Sequence, residues 1–165
     1  MWQVLRVEKD EWREKYATAA HAAVFQKYLP KDLERISYAL LIVKDDTVIG
    51  YVTVREHDSE TVYWQFGGVF PTFRRSFVAA KLMEEALLWQ KDYAKRVTMF
   101  VENTNVAMLK LALSFGFLVI GTRTFIGSVY VDLIKEFSDG NNEHLPEHAK
   151  PSAGSKASNT DDKNA

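Results

Sequence analysis

Residues 61–88, TVYWQFGGVFPTFRRSFVAAKLMEEALL, join a buried strand to an amphipathic helix through a glycine pair and a proline turn. The turn carries Arg74, Arg75 and Ser76 just before the helix. A helix N-terminus has unpartnered backbone N–H groups and a partial positive charge, and neighbouring arginines strengthen its attraction for a phosphate or pyrophosphate. The stretch therefore predicts a phosphate-binding turn, and the alternative is a solvated turn with two surface arginines.

Four residues of this turn follow a known spacing: Val69, Pro71, Arg74 and Ala79. They resemble the acetyl-CoA loop of the GCN5-related N-acetyltransferase (GNAT) superfamily, V-x-P-x-x-R-G-x-G-x-G/A. The resemblance implies that acetyl-CoA is the co-substrate, with its pyrophosphate near the backbone of residues 75–80 and its thioester oriented by backbone groups of the first two loop residues. The cofactor-binding residues that it implies are Val69, Phe70, Arg74, Arg75, Ser76, Phe77, Val78, Ala79 and Asn105.

A second block supports the same family. Residues 105–117, NVAMLKLALSFGF, are similar to the GNAT motif N-x-x-A-x-x-L-Y-x-x-x-G-F, with matches at Asn105, Leu111, Gly116 and Phe117. The resemblance spans residues 38–123 and implies that Asn105 bonds the CoA arm. Asn105 is also a good helix N-cap, and both roles are compatible. Gly116 is placed to end the helix in the left-handed conformation.

The chain departs from the family at three points. The loop glycines are replaced by Arg75 and Phe77, and the tyrosine that often protonates the departing CoA thiolate is replaced by Ala112. The predicted fourth strand also lacks the glutamate that many members use as a general base. We therefore assign no catalytic residue from the sequence. Tyr63 is expected to be a packed sheet aromatic, and the acidic and histidine residues at 56–60 a solvated turn.

Composition limits the other possibilities. The charge count of 21 basic and 22 acidic residues gives no basic character that would favour nucleic acid. The absence of cysteine excludes disulfides and Cys-zinc sites, and fits a cytoplasmic protein. No signal peptide or membrane-spanning run is expected. His144 and His148 flank a proline in a polar segment, so no metal site is predicted.

Hydrophobic periodicity predicts one α/β domain over residues 1–137 and a disordered polar tail over 138–165. The fold class is a GNAT-like mixed, mostly antiparallel central sheet with helices on both faces. The glycine pair Gly67-Gly68 is expected to be a bulge that admits the pantetheine arm, or a twist point. The predicted strands are 2–7, 38–44, 47–56, 61–69, 96–102, 117–125 and 128–134, and the main helices are 10–29, 76–94 and 105–115.

Two functions follow from these residues. The first is an acetyl-CoA-dependent N-acetyltransferase acting on a small-molecule or protein amine, with an apolar acceptor slot at Phe25, Tyr28, Thr124 and Phe125. The second is a GNAT-fold protein that has lost catalysis and serves as a binding or structural component, which would fit a phage-encoded protein. A homodimer through the C-terminal hairpin is a further expectation.

Overall fold

A computed structural model of the chain describes residues 1–24, 35–75 and 77–138, with only the backbone of 21–24. Seven strands form one sheet: β1 Trp2–Glu8, β2 Tyr38–Lys44, β3 Thr47–Glu56, β4 Thr61–Val69, β5 Arg96–Glu102, β6 Leu118–Phe125 and β7 Ser128–Glu136. The α-helices in the described part of the chain are α1 Lys9–Lys15, α2 Ala17–Val24, α3 Val78–Gln90 and α4 Val106–Ser114.

The strand order is β1-β2-β3-β4-β5-β7-β6. Only β4 and β5 run parallel, and every other neighbouring pair is antiparallel. The β4–β5 crossover contains α3, because parallel neighbours need a long connection. The predicted mixed, mostly antiparallel α/β sheet is confirmed. Strand β5 lies inside the sheet, between β4 and β7.

Two hydrophobic cores cover the two faces of the sheet. The larger core contains Leu82, Met83 and Ala86 of α3 together with Ala112 of α4. The smaller core is built around Trp12, which is fully buried, and packs against β2 and β3. Because helices cover both faces of β2, its residues 38–43 are all buried.

Helices α3 and α4 are shorter than the sequence predicts. The predicted helix 10–29 is two helices in its described part, broken at Tyr16, where φ is −122° and ψ is −32°. Glu8 is the N-cap residue of α1, and Asp10 lies in the first turn of that helix. Helix α3 ends at Gln90, and Tyr93, which lies beyond this end, is 61% exposed.

Several predictions lie outside the described residues: Phe25, Tyr28, Ser76, both tail histidines and the tail itself beyond Ser138. Among the helices that the structure describes, none combines the length and the apolar character needed to cross a membrane. Gly116 adopts φ 84° after α4, which confirms the predicted left-handed helix end.

Candidate active site

Strands β4 and β5 separate after three paired residues. Their register consists of Thr61 with Arg96, Val62 with Val97 and Tyr63 with Thr98. Along the remaining described length of both strands no further pair forms. The two parallel strands therefore diverge toward their C-terminal ends and open a wedge in the middle of the sheet.

A bulge in β4 lies where the strands begin to separate. Phe66 pairs with Thr53 and Trp64 pairs with Val54, so Gln65 is an extra residue in β4. The Thr53 hydroxyl fixes the bulge, since it accepts a hydrogen bond from Phe66 N–H at 3.0 Å and lies 3.3 Å from the Phe66 carbonyl oxygen. Of the two alternatives expected for Gly67-Gly68, the bulge is wrong, because these glycines pair regularly with Val52 and Tyr51.

The wedge contains a cavity of about 400 Å³ between β4, β5, α3 and α4. Most of its wall is apolar or backbone, which suits the uncharged arm and acyl group of a thioester. Among the described residues its lining includes Gly67, Val69, Ala79, Met99, Phe100, Asn105, Met108 and Leu111.

Backbone directions distinguish the two loop residues that the sequence assigns to the thioester. Phe70 N–H donates to the Ile49 carbonyl at 2.9 Å, so Phe70 faces β3. Alternation along an antiparallel pair then turns the N–H and C=O of Val69 away from β3, toward the wedge. The Val69 carbonyl accepts a hydrogen bond from Arg74 Nε at 3.1 Å. Val69 thus presents its N–H to the wedge, whereas the Phe70 N–H is already bonded within the fold.

The remaining predicted cofactor-binding residues lie in the loop between β4 and α3 and in the first turn of α3, and they differ in exposure and in contacts. Arg74 bonds to the loop itself, and Arg75 is exposed. Phe77 is the N-cap residue of α3 and is 58% exposed. Val78 is buried in the larger core, while Ala79 lies in the cavity wall. The first turn of α3, with its partial positive charge, therefore borders the cavity.

Asn105 begins α4 and combines the two roles that the sequence suggests. Its Oδ1 accepts a hydrogen bond from Met108 N–H at 3.3 Å, which makes it the N-cap. Asn105 also lies in the cavity wall together with Met108 and Leu111. Ala112, at the family's tyrosine position, is fully buried in the larger core and lies outside the described cavity wall.

The turn before β4 lies at the other end of the strand from the cavity. Glu60 pairs with Lys95 at 2.6 Å, and Asp58 accepts the Glu60 and Thr61 N–H groups at 2.8 and 2.7 Å. These two backbone hydrogen bonds lower the pKa of Asp58, because they favour its charged form. Tyr63 packs its ring 5.0 Å from that of Phe100.

Among the cavity residues that sequence reasoning missed are the two ionisable ones, Glu102 on β5 and Tyr130 on β7. Both are paired across the two strands. Glu102 ends a strand read only as a core element, and Tyr130 lies in a hairpin remote in sequence. Only the β5–β7 register brings them together, so no local pattern identifies them.

On the same sheet face, Arg123 of β6 lies 3.6 Å above the Phe100 ring and forms a two-pronged ion pair with Asp132 at 3.0 Å. Of the predicted acceptor slot, the structure describes only Thr124, which is exposed, and Phe125, which is 62% exposed at the tip of the hairpin, so the slot stays a prediction.

Comparison with known proteins identifies the family. The family model described as the acetyltransferase (GNAT) family matches residues 1–117. No curated protein matches the chain significantly. Several solved structures share its fold despite low identity.

A GNAT family acetyltransferase from Elizabethkingia anophelis, solved with acetyl-CoA bound, is 16% identical with a TM-score of 0.64, over 82% of this chain and 98% of that one. Ard1 from Thermoplasma volcanium is 15% identical with a TM-score of 0.64, and the match covers 84% of this chain and 99% of that one. Naa50 from Arabidopsis thaliana, in complex with the bisubstrate analogue CoA-Ac-MVNAL, is 16% identical with a TM-score of 0.62, over 81% and 99%. The chain therefore belongs to the acetyltransferase (GNAT) family.

Proposed function

We propose that this protein transfers the acetyl group of acetyl-CoA to an amine. The observation that carries the proposal is the divergence of β4 and β5 after the Tyr63–Thr98 pair, which leaves an apolar cavity at the C-terminal ends of two parallel strands. Open α/β sheets bind ligands at such an end. Family membership supplies the chemistry that the cavity would host.

The cofactor would enter between α3 and α4. Its pyrophosphate would lie at the first turn of α3, where Arg75 is exposed beside a positive helix end. The pantetheine arm would follow the wedge past Asn105, and the Val69 N–H would bond the thioester carbonyl. Developing negative charge on that oxygen makes such a donor useful in the transition state.

The two missing loop glycines do not close this route. Phe77 directs enough of its side chain to solvent to be 58% exposed, and the described cavity wall does not include it. Arg75 replaces the other glycine and adds a positive charge where a phosphate would bind. The loop therefore retains an anion site, although it offers less backbone than the family pattern.

The acceptor would approach from the opposite side of the sheet, where Phe100, Glu102 and Tyr130 face the wedge. The Naa50 structure holds a CoA–peptide analogue. By this likeness, the acceptor class extends from small amines to peptide amino groups.

Turnover tests the proposal directly. Purified protein is incubated with acetyl-CoA and a panel of primary amines and short peptides, and the release of CoA thiol is followed together with the mass of each product. We expect acetylated product from a subset of the panel. Thiol release at the protein-free rate with every amine, from a protein shown to be folded by circular dichroism, would contradict it.

A second copy of the chain is the proposed partner of β6. This strand is one of the two edge strands of the sheet, and its residues Leu118, Val119 and Ile120 are 54–60% exposed. Such an edge promotes strand pairing. Its one charged residue, Arg123, is neutralised by Asp132, so two copies related by a two-fold axis would meet without like-charge repulsion.

A further inference from the structure

The β4–β5 cavity continues from the mouth of the wedge down to its vertex. Its wall includes every residue of β4 beyond the last pair, residues 64–69, and every residue of β5 beyond it, residues 99–102. On α3 the wall extends from Ala79 in the first turn to Met83 one turn later. The cavity is therefore as deep as the unpaired part of the sheet.

The bottom of the cavity lies inside the larger hydrophobic core. Trp64 and Met99 are the first residues beyond the Tyr63–Thr98 pair, and Met83 lies in the wall with them. These three wall residues form the wedge floor; all belong to the larger core and are 3–6% exposed. Protein cores rarely hold voids larger than a water molecule, and an apolar void binds apolar ligands. The wedge floor therefore suits an apolar group of a substrate.

An acetyl group is too short to reach the wedge floor. The proposed thioester contact is the N–H of Val69, at the C-terminal end of β4. Because a strand rises about 3.3 Å per residue, Val69 lies roughly 15 Å from Trp64 along β4. Beyond its thioester carbonyl, acetyl-CoA has only a methyl group. Most of the distance down to the floor is thus left for a longer acyl chain.

Methionines make the wall of the cavity adaptable. Three of the four methionines of the chain, Met83, Met99 and Met108, line it. Their side chains are flexible and polarisable, so such a wall adapts to chains of different length.

The wedge floor offers no partner to a charged chain end. The indole N–H of Trp64 is already bonded to Gln90. The one charged residue in the described wall is Glu102, which lies at the other end of the unpaired part of β5. A charge buried at the floor would therefore lack a counter-charge, which is costly, whereas a methyl end is accommodated.

The wedge floor also lies on the cofactor side of the sheet. Along β5, Met99 and Val101 point into the larger core beneath α3, whereas Phe100 alternates with them and points to the other face. An acyl chain on the floor would thus stay away from the face where the acceptor would approach. A longer chain does not obstruct the amine.

We propose that the wedge floor buries a linear, uncharged acyl chain longer than acetyl, so that the preferred donor is a medium-chain acyl-CoA; this rests on the proposed acyl transfer to an amine. The reaction is the same for each chain length. The amine nitrogen attacks the thioester carbonyl carbon, the C–N bond forms, and the C–S bond breaks. The nitrogen loses one proton to solvent, and the CoA thiolate takes one up.

Calorimetry with four CoA thioesters, in the absence of an amine, tests the proposal. The probes are acetyl-CoA, butyryl-CoA, hexanoyl-CoA and succinyl-CoA, which has the carbon chain of butyryl-CoA with a terminal carboxylate. Each is titrated into the wild type, Met83→Phe, Met99→Phe and the control Leu87→Phe. Leu87 lies one turn beyond Met83 on α3 and is 6% exposed in the same core, but the described cavity wall does not include it.

A chain-length preference is the expected result. Each buried methylene contributes about three- to fourfold in affinity. We expect the wild type and Leu87→Phe to bind hexanoyl-CoA about tenfold or more tightly than acetyl-CoA, and butyryl-CoA about tenfold more tightly than succinyl-CoA. Met83→Phe and Met99→Phe should lose the preference for hexanoyl-CoA and keep their affinity for acetyl-CoA, because the added ring fills the space of the chain.

Two results would overturn the proposal while leaving the proposed function intact. One is equal affinity of the wild type for acetyl-CoA and hexanoyl-CoA. The other is a preference for hexanoyl-CoA that survives in Met83→Phe and Met99→Phe, both shown to be folded by circular dichroism. If neither variant folds, the comparison in the wild type decides alone. Failure of all four thioesters to bind to folded wild type would overturn the proposed function, and the inference with it.

Turnover gives a second readout. With any amine that is acylated, kcat/KM for hexanoyl-CoA should exceed that for acetyl-CoA by about tenfold in the wild type, and the product mass should show the hexanoyl amide. Met83→Phe should reverse this order. Product formed from acetyl-CoA alone would contradict the proposed donor.

Discussion

Tyr63 of β4 pairs with Thr98 of β5, and this is the last pair before the two strands separate. The Tyr63 ring also packs 5.0 Å from the ring of Phe100, on the first part of β5 beyond the pairing. The wedge therefore begins at a fixed point in the sheet and widens from there. The proposed binding of acetyl-CoA depends on keeping that space open.

Filling the wedge should prevent cofactor binding. A Cβ added to Gly67 would lie 3.3 Å from the Tyr51 carbonyl oxygen and 3.5 Å from Cγ2 of Val52, a residue of the cavity wall. We expect Gly67→Val to weaken acetyl-CoA binding at least about tenfold, because its methyl groups occupy the space of the pantetheine arm, and to cost about 1–3 kcal/mol of stability. Calorimetry and urea unfolding measure the two effects.

Gly121→Val is the matched control for this change. It lies on β6, and a Cβ there would meet only Asp132 Oδ2 at an ordinary 3.8 Å. Wild-type affinity in Gly67→Val, or an equal loss in Gly121→Val, would show that the wedge is not the binding site.

A buried polar chain should be important for stability. The Trp64 indole N–H donates to Gln90 Oε1 at 3.2 Å, and Gln90 Nε2 donates to the Tyr38 hydroxyl at 3.1 Å, so β4, α3 and β2 are linked. Gln90 is fully buried. Gln90→Met leaves both partners without that bond, and we expect a loss of about 2–4 kcal/mol in the free energy of urea unfolding.

Gln3→Met, at an exposed position of β1, provides the comparison for Gln90→Met. A loss of stability below about 0.5 kcal/mol in Gln90→Met, or one equal to that in Gln3→Met, would mean that these buried hydrogen bonds contribute nothing beyond packing.

The strand pattern was predictable because it depends on local alternation. The sequence predicted β2, β3, β4 and β5 with the bounds that the structure shows, and the N-cap of α4 as well. A bulge was considered at Gly67-Gly68 because glycines often mark one. The actual extra residue is Gln65, because its neighbour Phe66 pairs with Thr53. Glu102 could not be identified, since its neighbours come from register between strands distant in sequence.

Acid should weaken the turn before β4. Two backbone hydrogen bonds hold the pKa of Asp58 below its ordinary value. Its stabilisation is therefore fully present above the unfolded-state pKa of about 3.9 and is lost as the pH falls through the folded-state value. Unfolding measured from pH 6 to pH 2 should show a stability difference between wild type and Asp58→Asn that disappears at the acid end. A difference that is constant with pH would contradict this.

The β6 edge should control association. We expect Ile120→Lys to convert a dimer to a monomer in sedimentation velocity, because a lysine on an exposed strand edge opposes pairing. Leu88→Lys, on a 47% exposed position of α3, is the control and should leave the dimer intact. A wild-type protein that sediments as a monomer at high concentration would exclude the proposed pairing.

Calorimetric titration of acetyl-CoA tests the central claim most directly. Its variants are Arg75→Ala, in the loop just before α3, and Arg55→Ala, at an exposed position of β3, as a charge-matched control. We predict one site of micromolar affinity, weakened about tenfold by Arg75→Ala and unchanged by Arg55→Ala. No heat of binding from a folded protein, or equal weakening by both variants, would contradict a cofactor site between α3 and the wedge.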